Sequence, residues 1–225
     1  MIVSHEHRFI FIRTRKTAGT SLEIALSRLV GDDAVVTSLS PRDERIRRAH
    51  GGRPPQNHLL RAAPPDAEVV PPGPGPGIVF YNHMPARAVR ALLGEKVWRT
   101  YFTFCFERNP WDKVVSLYYH RYRTPPRPGI DHFVRSGEAR DAYNWPLYTL
   151  NDAVAVDMVG RYETLLADVK HVAAELGLPE LTPLPEAKTQ FRPFGADHRH
   201  VLDDPLRAVI AREYAREIQY HGYEW

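Results

Sequence analysis

Cysteine is nearly absent from the chain. Cys105 is the single one among 225 residues, so no internal disulfide framework can staple the fold. Set between Phe104 and Phe106, it reads as a small core residue rather than a reactive thiol. No apolar run reaches membrane-spanning length and no long apolar segment opens the chain. The expectation is a soluble, cytoplasmic protein with no stable membrane insertion. Charge of one sign is scarce too: 30 Lys and Arg stand against 27 Asp and Glu, a net +3 with both signs interspersed. That balance argues against nucleic acid as a partner and suits a small anionic ligand. No glycine lies between the apolar run Phe9–Ile12 and Lys16, and no apolar run ends in an aspartate placed to hold magnesium. Both gaps count against a nucleoside-triphosphate site of the Walker type.

What is present begins with that same run. Phe9-Ile10-Phe11-Ile12 reads as a buried parallel strand. Arg13 through Ser21 then supply a lysine, a glycine and several hydroxyls before the helical pattern Leu22–Leu26. A strand turning through such a loop into a helix N-terminus gathers backbone N–H groups, the helix dipole and Lys16 around one point. This is a phosphate loop without an evident metal partner. A second strand–turn–helix unit follows at Tyr101–Tyr119. Asn109 is a good N-cap, Pro110 suits the first helical position, and Asp112 falls in the first turn. Arg108 closes the strand, and Ser116 comes eight residues later, about two helical turns along. An arginine fork with a hydroxyl is suited to a second phosphate.

Together these segments resemble the sulfotransferases. Lys16-Thr17-Ala18-Gly19-Thr20-Ser21 is similar to their 5′-phosphosulfate loop, and Arg108–Asp112 with Ser116-Leu117-Tyr118-Tyr119 to their 3′-phosphate motif. The likeness is to the carbohydrate-type branch, which includes heparan sulfate 2-O-sulfotransferases and small bacterial enzymes. It extends through His83–Arg87, Val159–Glu163 and Gly222–Trp225. Either motif alone is weak; both in this order, about ninety residues apart, are specific. The resemblance implies an α/β fold, a P-loop-like three-layer α/β/α domain with a mainly parallel central sheet. It also implies 3′-phosphoadenosine 5′-phosphosulfate as donor, no required metal, and a hydroxyl of a glycan, glycolipid or secondary metabolite as acceptor.

Site residues follow from the same resemblance. Lys16 would stabilise the leaving phosphate, with Arg15, Thr17, Ala18, Gly19, Thr20 and Ser21 around the 5′ end of the donor. Arg108 and Ser116 would hold the 3′-phosphate. Tyr162 falls near the adenine or in plain core packing, and Arg192 is a late basic contact in a segment that departs from the usual Arg-Lys-x-Gly form. His83 is the candidate base, by chemistry and by its place just upstream of the 3′-phosphate strand; the alternative is a helix-capping histidine. His50, His58, His120 and His132 are weaker rivals on less ordered or surface-like segments; Glu107, next to Arg108, is another, read instead as pairing locally or facing out of the strand. Two other readings of the whole chain stay open here: a P-loop-type kinase and a non-catalytic nucleotide-binding relative.

The remaining pattern predicts one domain over residues 1–225. Val35–Thr37 reads as a short strand, and Pro41 to Gly77, rich in proline, glycine and arginine, as an insertion without regular helix or central strand. That insertion is either a passive surface loop or a lid over the acceptor. Ile78–Tyr81 reads as a strand leading to His83, and Ala86–Leu93 as a helix stopped by Gly94. A short helix is expected at Ile130–Val134, a strand at Asp157–Tyr162, and helices at Leu165–Leu176 and Pro205–Gln219. Strands alternating with helices predict a parallel sheet covered on both faces.

Overall fold

The computed structural model describes residues 1–59, 77, 79–185, 193 and 196–225. Its elements are β1 (Ile2–Ser4), β2 (Phe9–Phe11), α1 (Gly19–Leu26), β3 (Val35–Val36), α2 (Pro41–Ala49), α3 (Ala86–Thr100), β4 (Phe102–Glu107) and α4 (Pro110–Arg121). After these come α5 (Ile130–Arg135), a 3-10 turn (Glu138–Ala142), α6 (Trp145–Tyr148), β5 (Thr149–Leu150), β6 (Ala153–Val154) and β7 (Met158–Arg161). The chain closes with α7 (Leu165–Glu175), α8 (His198–Val201), α9 (Asp204–Glu213) and α10 (Ala215–His221).

Five strands form one sheet in the order β3-β1-β2-β4-β7. β4 lies parallel to β2 and to β7, while β1 is antiparallel to both its neighbours, so β1 opposes the other four. The fold is mixed α/β with a mainly parallel central sheet.

Strand alternation divides the core. Phe9, Phe11, Phe104 and Phe106 share one face with Leu22 and Leu26 of α1 and Val169 and Val172 of α7. Ile10, Ile12 and Cys105 share the other with Val89 of α3 and Trp145 and Tyr148 of α6. The lone cysteine is therefore the buried core residue expected of it. Trp111 and Tyr118 pack in a third cluster with Phe133, Leu206 and Ile210, core rather than ligand platform. The register pairs Phe11 with Phe104 and Phe106 with Gly160. Parallel strands in that register release Lys16, Arg108 and Tyr162 at the same end of the sheet, where ligands of α/β proteins bind.

Several expectations need correction. Pro41–Ala49 is helix α2, not irregular chain: Ser40 caps it by accepting from the Asp43 N–H, Pro41 sits in the first turn where it is tolerated, and Asp43 and Glu44 face the positive end. Residues 60–76 of the expected insertion and residue 78 of the expected strand after it lie outside the described residues. The segment 79–81 is not a strand. The Val79 and Phe80 N–H groups both donate to the His58 carbonyl, and the successive residues Phe80 and Tyr81 pack against the same cluster, which strand alternation forbids. Gly94, at φ 79° and ψ 158°, does stop the helix that begins at Ala86, as expected; α3 comprises that helix and a second one that runs from the kink to Thr100. The expected closing helix is two, α9 and α10, divided at Tyr214, whose buried hydroxyl donates to the Ala139 carbonyl. Among the described residues no helix is long and apolar enough to cross a membrane.

Gly160 shows how closely the sheet is packed. A Cβ there would lie 2.6 Å from the buried Phe106 ring. Gly160→Ala is expected to lower the unfolding free energy by about 1–3 kcal/mol, read from the urea midpoint, since the enclosed ring has to shift.

Candidate active site

The loop after β2 holds an uncommon backbone. Lys16 has φ 64° and Ala18 φ 61°, both left-handed without being glycine. Each such residue costs about 1–3 kcal/mol unless its surroundings enforce it. The enforcing contacts are visible. Asn144 accepts the Arg15 N–H at 2.8 Å and donates back to the Arg15 carbonyl at 3.1 Å. Arg108 Nη1 donates to the Lys16 carbonyl at 3.1 Å. Thr14 spends its hydroxyl proton on the Phe106 carbonyl, so at 2.8 Å it is the Thr17 hydroxyl that donates to Thr14 Oγ1.

Ala18 is the N-cap of α1 and gives no side-chain cap. The N–H groups of Gly19, Thr20 and Ser21 have no partner within the helix, the arrangement that attracts an anion. Gly19 is required by a close approach: a Cβ there would sit 2.9 Å from Arg13 Cγ and 3.3 Å from the Thr14 carbonyl.

Arg13 lies beneath the loop, 6% exposed. Its Nη2 donates to Thr20 Oγ1 at 2.7 Å, and its Nη1 donates to Glu23 Oε2 and to Asn82 Oδ1, each at 2.9 Å. Glu23 is fully buried and also accepts from Arg47 at 3.0 Å. Burial pushes its carboxyl up, but the Met1 amine, Arg13 and Arg47 outweigh that and hold it below the ordinary range.

His83 occupies a turn at φ 61°, not the end of a strand. Its Nδ1 lies 3.0 Å from the Arg13 carbonyl. A carbonyl can only accept, so Nδ1 carries the proton and Nε2 keeps its lone pair. Burial, then the charges of Arg13 and Arg15, hold the imidazole well below its usual range. It is therefore neutral at pH 7, as a base has to be. Asn82, which also donates to the Ser38 carbonyl, ties this turn to the Arg13 cluster.

On the second loop, Arg108 donates from Nε to Asp112 at 2.6 Å and pairs with the same carboxylate through Nη2. Its guanidinium carbon stands 3.9 Å from the centre of the Tyr162 ring. Each nitrogen is engaged once, leaving a second N–H on each terminal nitrogen. The Tyr162 N–H donates to the Glu107 carbonyl at 2.7 Å, which fixes that ring beside β4. Ser116 is half-buried on α4, one turn past Asp112 and on the same helical face.

No family model and no solved structure matches the chain. Over 102 residues it is 45% identical to an uncharacterized protein of Archaeoglobus fulgidus, a match covering 43% of this chain and 85% of that one. The two belong to one family. It is also 23% identical, over 261 aligned positions and 99% of its length, to carbohydrate sulfotransferase 14 of Danio rerio. The chain is a distant relative of that sulfotransferase. It spans 62% of the zebrafish protein's length.

The structure thus brings together Arg15, Lys16, Thr17, Ala18, Gly19, Thr20 and Ser21 on one loop, and joins that loop to Arg108 and, through Arg108, to Tyr162. His83 meets the base of the same loop. Arg192 lies outside the described residues. Glu107 pairs locally, one of the two readings expected of it, and does not face out: it is fully buried against Lys113. His50 is exposed at the C-cap of α2 and His132 is exposed on α5. Sequence reasoning missed Arg13, Asn82 and Asn144. Arg13 carried a signal, an arginine directly following a buried strand; the two asparagines carried none, since their partners are 69 and 129 residues away.

Glu23→Ala leaves Arg13 buried without a carboxylate and Arg47 with Glu44 alone. A loss of about 3–5 kcal/mol in unfolding free energy is expected, measured by chemical denaturation.

Proposed function

We propose that the chain is a sulfotransferase that moves the sulfuryl group of 3′-phosphoadenosine 5′-phosphosulfate to an acceptor hydroxyl, with the central sheet as the core of a P-loop-like three-layer α/β/α domain. One observation carries the reading: Arg108 is bonded to the Lys16 carbonyl, so the two anion-gripping loops form one surface. The similarity to a carbohydrate sulfotransferase along nearly the whole chain supports it and favours a carbohydrate hydroxyl among glycan, glycolipid and secondary-metabolite acceptors.

The donor supplies an activated sulfuryl group on a phosphate leaving group. The first-turn N–H groups of α1, with the Thr17, Thr20 and Ser21 hydroxyls, suit its 5′-phosphate. Arg15 and Ala18 complete the backbone of that cradle. Lys16 neutralises charge gathering on the leaving oxygen. Arg108 and Ser116 suit the 3′-phosphate, with Tyr162 beside the adenine. His83 Nε2 takes the acceptor proton, held in the correct tautomer by the Arg13 carbonyl. A transferred group of low charge needs no metal clamp.

Calorimetry with 3′-phosphoadenosine 5′-phosphate, ADP and ATP–magnesium tests the donor. Micromolar binding that needs the 3′-phosphate and survives EDTA is expected. A preference for ATP–magnesium would overturn the reading in favour of a kinase, and donor binding without transfer to any acceptor would favour a non-catalytic relative. Arg108→Ala should weaken binding, whereas His83→Ala should bind normally and lose about 10²–10⁴-fold in kcat.

The pH profile gives an independent check. His83 acts as a base above its folded pKa, which lies below 6.5, so the acid limb of kcat/KM should fall below pH 6.5. A limb at or above that value would remove His83 from the role.

A further inference from the structure

We infer that Asn144 is a positioning residue that presets the anion loop before any ligand arrives, by clamping both polar groups of Arg15 to the end of β4. Its side chain is fully buried. The amide orientation is unambiguous, because the Arg15 N–H requires the oxygen while the Arg15 carbonyl and Glu107 Oε1, at 3.1 and 2.8 Å, require the NH2 group. Both amide hydrogens are thereby used.

The main chain of Asn144 is anchored just as firmly. Its N–H and that of Trp145 donate to Glu217 Oε1 at 2.6 and 3.0 Å. Glu217 Oε2 accepts from Lys113 Nζ at 2.6 Å, and Lys113 also donates to both oxygens of Glu107. Glu107 Oε2 in turn accepts the Arg108 N–H at 2.8 Å, and Arg108 reaches the Lys16 carbonyl. A chain of hydrogen bonds therefore runs Arg15, Asn144, Glu107, Arg108, Lys16, and the peptide bond between Arg15 and Lys16 closes it into a ring. It seizes two successive residues of the loop, the second of which is left-handed. An asparagine needed only to satisfy its own segment would not send three side-chain bonds to β4 and to a loop 129 residues away.

Without the amide, the Arg15 N–H and carbonyl lose their partners, and of the Asn144 and Arg108 contacts the left-handed turn at Lys16 keeps only the Arg108 one. His83 is held separately, by Arg13 and the Asn82 turn. The consequence falls on donor affinity and not on the turnover of bound donor. The choice of probe rests on the donor reading above; the clamp itself does not.

The test is calorimetry of 3′-phosphoadenosine 5′-phosphate on the full chain and on Asn144→Ala, with donor KM and kcat measured in parallel. Loss of two hydrogen bonds predicts a Kd and a donor KM at least about tenfold higher. Binding stoichiometry should be unchanged and kcat at saturating donor within about threefold. An unchanged Kd with fewer binding sites per molecule would mark Asn144 as structural only and overturn the inference.

Amide exchange on the ligand-free wild type decides the matter even if the variant fails to fold. Arg15 N–H should be protected there; exchange at the free-peptide rate until ligand is added would overturn the clamp. If the wild type does not bind the bisphosphate, the donor reading fails by itself, and the exchange rate at Arg15 still judges the clamp.

Discussion

The end of β4 depends on one buried carboxylate. Glu107 is fully enclosed, and so are Lys113 and Glu217 beside it. Two carboxylates share one ammonium away from water, so burial and then the charge of Glu217 push the Glu107 carboxyl up to about 8. The Lys113 ammonium and the Arg108 N–H aimed at its oxygens oppose that shift. A buried ionic cluster is a poor source of net stability, because desolvation offsets most of the attraction. Its value here is positional. Both oxygens and the carbonyl of Glu107 are committed, to Lys113, Asn144, the Arg108 N–H and the Tyr162 N–H. Three segments distant in sequence therefore meet at fixed distances.

That rigidity explains how the loop tolerates left-handed turns at Lys16 and Ala18. Strained residues persist only where the surroundings over-determine them. Arg13 presses from below, Asn144 and Arg108 grip the peptide groups, and Gly19 permits the close approach. Donors placed before a ligand arrives need no reorganisation when charge develops, which is where electrostatic catalysis gains most. A third buried carboxylate, Glu23, does for Arg13 and Arg47 what Glu107 does for Lys113. The candidate site thus stands on two buried ionic clusters, one under each side of the loop.

Much of the frame was legible because it rests on local chemistry. The run Phe9–Ile12, the Asn109-Pro110 cap and the stop near Gly177 are short-range signals, and each element formed near its expected bounds. The same logic misjudged Pro41–Ala49. Proline content over a long window was allowed to outweigh a cap, an N1 proline and first-turn acids, all of which favour a helix. Residues 79–81 departed for another reason: the Val79 and Phe80 N–H groups both go to the His58 carbonyl, a long-range contact that apolar, β-prone residues do not announce.

The strand–loop–helix units, the residue types at their ends and the hydroxyl and basic groups that each loop carries could be read from the order of residues alone. These follow from spacing and backbone preference within a few turns. Only the tertiary structure decided that the two loops form one surface, that Arg13 lies beneath it, that Asn144 clamps it and that His83 keeps its Nε2 lone pair. The physical reason is distance along the chain. Hydrogen bonds between residues 69 to 129 positions apart leave no periodic trace in the sequence, and they exist only once the parallel register of β2, β4 and β7 has brought their ends together.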